Sequence, residues 1–346
     1  MKTLVEISRY IGSRFDLVQA GGGNTSIKEG NYLHVKSSGT YVGDVSLESG
    51  ITTLNLKVLK EEISKVLDSD VDNLSKKELE LRGSKILAKA HMTGERSSIE
   101  TFIHACFGKY VVHTHPISVT HALSTELLRR VKSEFSQAYI SEYKTPGIEL
   151  LIGMKDAIAK PNGDPTIIFL ENHGLIVSSD CPDKVIKYTN EVCDRISNWT
   201  KLDFSLYKES GDIFNKIKSV CDENIIVQPI TLDYKFHKLV KILPGKIKTF
   251  SPDIFIYLGF EILDVGLNFN TSFENYISKY GSLPNVIISK GNLYSISPTY
   301  KKSKEIEDIL RCYLEIVYSG YNINSLNDEE LKYLSGWEAE IYRKQN

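Results

Sequence analysis

The sequence has few cysteines, almost no net charge and no long hydrophobic run, and each of these absences excludes a class of protein. Its 346 residues contain 42 Lys and Arg against 44 Asp and Glu, which gives a net charge of −2. A general nucleic-acid-binding protein would carry a clustered basic surplus, and this balance argues against one. The apolar stretches are short and interrupted by charged residues, so the sequence predicts no transmembrane helix and no membrane partner.

The cysteines and the N-terminus both favour a cytoplasmic location. The cysteines are odd in number and share no ligand-like spacing (Cys106, Cys181, Cys193, Cys221 and Cys312). We interpret them as reduced, mostly buried thiols. The charged residues Lys2 and Glu6 interrupt the N-terminal segment, so it contains no apolar run long enough for a signal peptide. With 41% hydrophobic and 25% charged residues, the composition is that of a soluble intracellular enzyme or binding protein.

The length predicts two domains, because 346 residues exceed what one compact domain usually needs. The apolar pattern thins around residues 207–225, and we place the junction there, between a first domain of residues 1–206 and a second of residues 226–346. Within the first domain, Ser97 and Ser98 can cap a helix that begins near Ile99. In the second domain, apolar spacing predicts buried strands at residues 255–257 and 286–288, and helices at residues 304–318 and 328–343.

Three histidines and one glutamate are the candidate chemical groups. His113 and His115 lie two residues apart on a predicted strand, so both imidazoles project from the same face. His173 lies at a turn between two apolar runs, and three neutral imidazoles with an open fourth position describe a catalytic zinc site. Glu100, on the preceding helix, could act as general acid/base near such a metal. The alternative is that the histidines are surface and turn residues and that the helix dipole stabilises Glu100 as an ordinary first-turn glutamate.

A glycine run near the N-terminus is a candidate anion site. Consecutive backbone amides at Gly22, Gly23 and Asn24 can form a nest for phosphate or carboxylate. The run lacks the Lys-Ser/Thr ending of a P-loop and does not follow a strand, as a dinucleotide-binding fingerprint would. The alternative is a tight turn with no ligand.

Taken together and in order, five short motifs resemble the class II aldolase/adducin family. They are Gly22-Gly23-Asn24-Thr25-Ser26, Lys36-Ser37-Ser38-Gly39, Ser97-Ser98-Ile99-Glu100-Thr101 with His104, Val112-His113-Thr114-His115-Pro116, and Asn172-His173-Gly174-Leu175-Ile176. Their order and separations make the signal specific. The resemblance covers roughly the first two hundred residues, which is consistent with the size of one domain.

The resemblance implies a fold and a set of site residues. The fold is α/β, a three-layer α/β/α domain with a central, mainly antiparallel sheet, followed here by a smaller C-terminal α+β domain. Carried over by position, the zinc ligands are His113, His115 and His173, and Glu100 is the catalytic acid/base. The residues that fall where sugar-phosphate members hold the substrate phosphate are Gly23, Asn24, Ser38, Gly39 and Ser98. Ile99 replaces a second serine that often contacts phosphate, which leaves open whether the substrate is phosphorylated.

The same resemblance implies a zinc-dependent class II aldolase, usually a homotetramer, that cleaves or forms a ketose or ketose phosphate through a metal-stabilised enediolate. Dehydration, decarboxylation and epimerisation of sugar phosphates are alternatives that use the same zinc site. Epimerase-like members tend to carry Asp where this chain has Glu100, which favours carbon–carbon cleavage. A non-catalytic, adducin-like scaffold is a further alternative, but such members are expected to lack the histidine set that is present here.

The second domain has a looser counterpart. Segments 251–259, 284–288 and 337–340 look like the extension that follows the aldolase domain in bifunctional rhamnulose-1-phosphate aldolase/lactaldehyde dehydrogenases. No nucleotide-binding glycine motif occurs in this sequence, so no redox activity is expected.

Overall fold

The computed structural model describes residues 1–69, 74–160, 163–240, 243 and 245–335. The chain divides into two compact units, Met1–Phe204 and Ser205–Asn346. Most of the interval that the sequence suggested as a junction, residues 207–225, lies in helix α10 (Ser205–Val220) of the second unit. Its buried residues Ile213, Phe214 and Ile217 follow helical spacing with polar residues between them, and this pattern makes the segment look sparse in apolar residues.

In its described part, the first unit is built on one eight-stranded sheet with the strand order β4-β3-β2-β1-β5-β8-β7-β6. The strands are β1 (Asn24–Glu29), β2 (Tyr32–Lys36), β3 (Ile51–Asn55), β4 (His91–Thr93), β5 (Tyr110–Thr114), β6 (Tyr139–Ser141), β7 (Thr166–Leu170) and β8 (Gly174–Ser179). The helices are α1 (Lys2–Gly12), α2 (Leu56–Leu67), α3 (Lys76–Ala90), α4 (Thr101–Cys106), α5 (Ile117–Leu123), α6 (Leu128–Glu134), α7 (Ile148–Gly153), α8 (Lys155–Ala159) and α9 (Pro182–Ser197). Neighbouring strands run antiparallel except β6 and β7, which are parallel.

Helices cover both faces of this sheet. Alternate residues of its central strands point to opposite faces, and side chains on each face contact a helix. On one face, the hydroxyl oxygens of Thr25 in β1 and Ser8 in α1 are 2.6 Å apart. On the other face, Oγ of Ser26 lies 2.7 Å from Nδ1 of His104 in α4. Apolar residues of α2, α3, α4 and α7 form a buried cluster with residues of β2 and β3. The α/β fold with a central, mainly antiparallel sheet is therefore confirmed.

The described part of the second unit contains a five-stranded sheet with the order β10-β11-β12-β13-β9. Its strands are β9 (Ile226–Ile230), β10 (Gly245–Lys246), β11 (Glu261–Asp264), β12 (Val286–Ser289) and β13 (Asn292–Ser297), and only the β11–β12 pair is parallel. The further helices are α11 (His237–Val240), α12 (Pro252–Leu258), α13 (Phe269–Tyr280), α14 (Tyr300–Tyr318) and α15 (Asp328–Ser335). The prediction of a smaller α+β part is confirmed, including a buried strand at residues 286–288.

The predicted strand at residues 255–257 is wrong, because this segment lies in helix α12. Pro252 occupies the first turn of α12, and Gly259, with φ +77°, ends it. Ile254, Phe255, Ile256 and Leu258 are all buried. A short helix that is buried on most sides has the same continuous apolar run as a buried strand, so periodicity does not distinguish them.

The two helices predicted at the end of the chain are present with different limits. α14 begins at Tyr300, where the Thr299 side chain accepts a hydrogen bond from the backbone N–H of Lys302. α15 covers the start of the predicted helix 328–343, whereas residues 336–346, including segment 337–340, lie outside the described residues. The five cysteines are free, but only Cys193 is fully buried, so the prediction of mostly buried thiols is wrong. None of the described helices has both the length and the apolar character needed to cross a membrane.

Candidate active site

The sheet brings the three predicted histidines together from two distant parts of the chain. His113 lies in β5, His115 directly follows that strand, and His173 lies in the turn between β7 and β8. β5 and β8 pair antiparallel with Thr114 opposite Leu175, so the end of β5 lies beside the start of β8. The three imidazole centroids are 4.9, 4.9 and 5.0 Å apart. The close approach predicted from the sequence is therefore present.

Two glycines make room for these imidazoles. A Cβ atom at Gly22 would lie 2.8 Å from Nδ1 of His115, and one at Gly174 would lie 2.3 Å from the carbonyl oxygen of Thr114. Asn172, with φ +54°, adopts the left-handed conformation in the turn that carries His173. The glycines at these positions are required by the close packing around His115 and the β5–β8 pair.

Glu100 places its carboxylate among the imidazoles. Its Oε1 atom lies 3.3 Å from Nε2 of His113 and 3.1 Å from Nε2 of His173. One potential ligand atom from each of Glu100, His113, His115 and His173 lies within 4.8 Å of all the others. The helix predicted from about Ile99 begins instead at Thr101, because residues 98–101 form a turn in which the Thr101 N–H donates to the Ser98 carbonyl at 3.1 Å. Glu100 is the N-cap of α4, yet its side chain makes no capping hydrogen bond, so its carboxylate is directed elsewhere.

The electrostatics of the cluster favour an ionised Glu100 and a neutral His115. Burial raises the pKa of the Glu100 carboxyl, but His113 and His173 lower it by more, so this pKa lies well below its usual range. Burial lowers the pKa of His113, whereas the Glu100 carboxylate raises it, and the net shift is upward. Burial, together with His113 and His173, lowers the pKa of His115 to about 3.

The donor set fits a divalent metal ion. Nδ1 of His113 lies 3.1 Å from the carbonyl oxygen of Leu175, and an N–H at this position donates to the carbonyl and leaves the Nε2 lone pair facing the cluster. Nε2 of His115 lies 3.1 Å from Nε2 of His113. The buried Oε1 of Glu100 has no hydrogen bond with suitable geometry among the described residues. Imidazole nitrogens and a carboxylate oxygen that converge in this way are the ligand types of catalytic metal sites.

Two of the predicted anion-binding residues, Gly23 and Asn24, lie where β1 begins. Asn24 is opposite His113 in the β1–β5 register and is 1% exposed. Its Oδ1 accepts from the Thr25 N–H at 3.0 Å, whereas its buried Nδ2 has no hydrogen-bond partner among the described residues. A Cβ at Gly23, where φ is +74°, would lie 2.7 Å from Cγ1 of Val18, so this turn requires glycine. The structure therefore leaves an unsatisfied amide donor beside the histidine cluster.

The other three predicted residues lie on two segments that are joined to each other. Residues 37 and 97 form an isolated β-bridge, and the Ser38 N–H donates to the Arg96 carbonyl at 2.8 Å. This link places the segment that carries Ser38 and Gly39 beside the one that carries Ser98. Ser98 Oγ itself accepts from the Glu100 N–H at 3.3 Å.

Lys36 was not among the predicted site residues, although it directly precedes the Ser-Ser-Gly segment. It is 2% exposed, and its Nζ donates to the carbonyls of Ser37 and Thr40 at 3.1 and 2.8 Å. Burial lowers its pKa to about 8, against the opposing effect of Glu100. Alternation along β2 places Lys36 on the face of Tyr32 and His34 and not with the apolar Leu33 and Val35, so nothing in the sequence signalled its burial.

Comparisons with known proteins agree with the sequence resemblance. The family model of the class II aldolase and adducin N-terminal domain matches residues 2–196. Similar solved structures include the N-terminal class II aldolase domain of a conserved protein from Thermoplasma acidophilum, which is 26% identical and has a TM-score of 0.47, with 57% of this chain and 91% of that chain covered.

Two further solved structures share less sequence identity with the chain. L-fuculose-1-phosphate aldolase from Thermus thermophilus is 13% identical with a TM-score of 0.36, with 64% of this chain and 99% of that chain covered. A sugar-phosphate aldolase from Thermotoga maritima is 14% identical with a TM-score of 0.36, with 64% of this chain and 96% of that chain covered. No curated protein sequence matches the chain. Because the family model spans more than half of the 346 residues, the chain belongs to the class II aldolase/adducin family.

Proposed function

We propose that the protein is a zinc-dependent class II aldolase that reversibly cleaves a ketose or ketose phosphate at a carbon–carbon bond. The observation that carries this proposal is the convergence of one carboxylate and three imidazoles within 4.8 Å, in a chain of this family. A non-catalytic scaffold would have no need to hold a buried carboxylate among three histidines, because burying an ionisable group costs stability unless it is well paired.

His113, His115 and His173 are the proposed zinc ligands. Tetrahedral ligands at zinc–nitrogen distances of about 2.0–2.1 Å lie roughly 3.3–3.4 Å from one another. In the structure, the Nε2 atoms of His113 and His115 are 3.1 Å apart, which is close to this spacing. When bound, zinc supplies Lewis-acid polarisation of the substrate carbonyl and offsets the negative charge that develops as the bond breaks.

Glu100 is the proposed general acid/base. Its carboxylate is 13% exposed, and its Oε1 lies 3.3 Å from Nε2 of His113 and 3.1 Å from Nε2 of His173. An ionised carboxylate can remove a proton from a substrate carbon in the synthetic direction, and the resulting acid can return one after cleavage. The short contacts to the imidazoles keep the carboxylate in place for both steps.

The proposed anion site comprises Gly23, Asn24, Ser38, Gly39 and Ser98. Support comes from the buried Asn24 Nδ2, whose donor capacity is unused by the described residues. A substrate phosphate bound here would orient the reacting bond toward the histidines. We also propose the homotetrameric assembly and cytoplasmic location that the family resemblance implies.

The experiment that tests the function is a condensation assay. The zinc-loaded protein is incubated with dihydroxyacetone phosphate or dihydroxyacetone and a panel of aldehydes, and products are identified by mass spectrometry. We expect a ketose or ketose phosphate product whose formation stops when zinc is chelated and resumes when it is restored. Absence of any condensation product from the zinc-loaded protein would contradict the aldolase assignment.

The Asn24→Ala variant tests the anion site separately. With dihydroxyacetone phosphate as donor, we expect KM to rise roughly tenfold or more, because one hydrogen bond to a charged group is lost. With unphosphorylated dihydroxyacetone, KM should stay unchanged, and Asn31→Ala in the exposed β1–β2 turn should change neither value. An equal rise in KM for both donors would show that Asn24 does not bind the phosphate.

A further inference from the structure

A cavity of about 610 Å³ lies within the second unit, at one end of its sheet. Connecting segments surround it: the end of α12 at Gly259, the end of α13 at Gly281, the start of β12 at Asn285 and the β13–α14 connection at Ser297. Small-molecule sites usually measure about 300–1,000 Å³ and are often built from connecting segments on a rigid scaffold. The proposed aldolase function uses none of these residues, so the inference does not depend on it.

One wall of the cavity is aromatic. The rings of Phe260 and Tyr280 are stacked, with centroids 4.4 Å apart and an interplanar angle of 7°. Phe255 packs edge-on against Phe260 at 4.9 Å, and Tyr276 lies 4.7 Å from Tyr280. Rings held in place by such mutual contacts offer a rigid surface against which a planar or sugar ring can pack.

A lysine supplies the positive charge. Among the described lining residues, Lys302 is the cation, and its side chain is 17% exposed. Its Nζ lies 3.1 Å from a carboxylate oxygen of Glu305 and 4.3 Å from the centroid of the Tyr257 ring. An ammonium group has three N–H donors, so a single neighbouring carboxylate leaves donors for a second anion.

The remaining polar groups of the cavity compete little for Lys302. The amide of Asn285 donates to the carbonyls of Ile256 and Tyr257 at 3.3 and 3.1 Å, so these acceptors at the end of α12 are already satisfied. The carboxylate among the described lining residues, Glu223, belongs to an exposed residue, where water screens its charge.

We propose that this cavity binds a small organic anion that contains a ring, with the ring packed against the aromatic wall and its carboxylate or phosphate paired with Lys302. An aromatic carboxylate and a sugar phosphate share this chemistry. Binding at this place would make the second unit a ligand-sensing or ligand-capturing part of the protein.

Binding to the full chain tests the proposal directly. The probes are 4-hydroxybenzoate and glucose 6-phosphate, with phenol and inorganic phosphate as controls that lack the anion or the ring. Saturation-transfer NMR and calorimetric titration should detect saturable binding of at least one ring-containing anion, at least about tenfold tighter than either control. The probe that binds identifies the source of the anion as aromatic or sugar-derived. Failure of both to bind would overturn the proposal.

Variants then locate the binding. Lys302→Met should weaken it roughly tenfold or more, because a charge-assisted contact is lost, whereas Lys301→Met on the exposed neighbouring position should leave it unchanged. Ser282→Trp, which places a large side chain at an exposed lining position, should block binding without altering the core. Equal affinity in Lys302→Met and Lys301→Met, or undiminished binding in Ser282→Trp, would place the ligand elsewhere, including at the histidine cluster, and would contradict the proposal.

Discussion

The His115→Ala variant is expected to lose its zinc and its aldolase activity together. His115 supplies one of three proposed imidazole ligands, and its Nε2 lies 3.1 Å from that of His113. A three-ligand site that loses one imidazole retains two protein ligands, too few to hold the ion in its catalytic geometry. Metal content is measured by plasma emission spectrometry and activity by the condensation assay. His121→Ala, at an exposed position of α5, is the control and should keep both. A full zinc complement in His115→Ala would count against the ligand set.

The Gly22→Ala variant tests whether zinc binding depends on the position of the His115 imidazole, because it leaves all three histidines in the chain. In Gly22→Ala, the new Cβ would lie 2.8 Å from Nδ1 of His115, so the imidazole must shift although every ligand remains. We expect zinc affinity to fall by roughly ten- to hundredfold, as it does when groups that orient a ligand are altered. Gly21→Ala is the matched control, because no atom lies within 4 Å of the Cβ it would add. Equal zinc affinity in the two variants would argue that His115 is not held by the glycine turn.

The Glu100→Gln variant is expected to keep zinc but to lower turnover by a factor of about a hundred or more. Glutamine has nearly the same shape as glutamate but cannot take up and return a proton. The measurements are zinc content and kcat in the condensation assay, with Glu95→Gln, an exposed residue of the same segment, as control. Normal turnover would remove Glu100 from the mechanism. Loss of zinc would instead make Glu100 a required ligand and contradict its assignment as an acid/base outside the ligand set.

Local sequence motifs predicted the members of the histidine cluster because each motif carries its own backbone geometry. His113 and His115 are separated by one residue at the end of a strand, and His173 stands in a turn marked by Gly174. The position of Asn24 opposite His113 was not predictable in the same way, because it depends on the pairing of two strands that are far apart in sequence. The burial of Lys36 likewise depends on neighbours that only the folded chain brings together.

The second unit was harder to predict because hydrophobic periodicity does not distinguish a short buried helix from a buried strand. Residues 286–288 and 255–257 are similar in composition, yet the first lie in β12 and the second in α12. The decisive features are Pro252 at the start and Gly259 at the end of α12, which act through backbone conformation rather than hydrophobicity. The cavity beside α12 arises from the meeting of separate connections, and no single stretch of sequence encodes it.

The side-chain alternation of β5 has a consequence for which changes in chain length the protein can tolerate. His113 pairs laterally with Asn24 and Ile176, whereas Val112 pairs with Thr25 and Val177 and faces the layer that contains α1. Deleting or inserting a single residue within β5 would exchange the two faces of the strand and turn the His113 imidazole toward the layer that contains α1. Insertions in exposed turns such as the one at Asn31 would leave that arrangement intact. Natural length variation among related sequences should therefore be concentrated in the turns and absent from this strand.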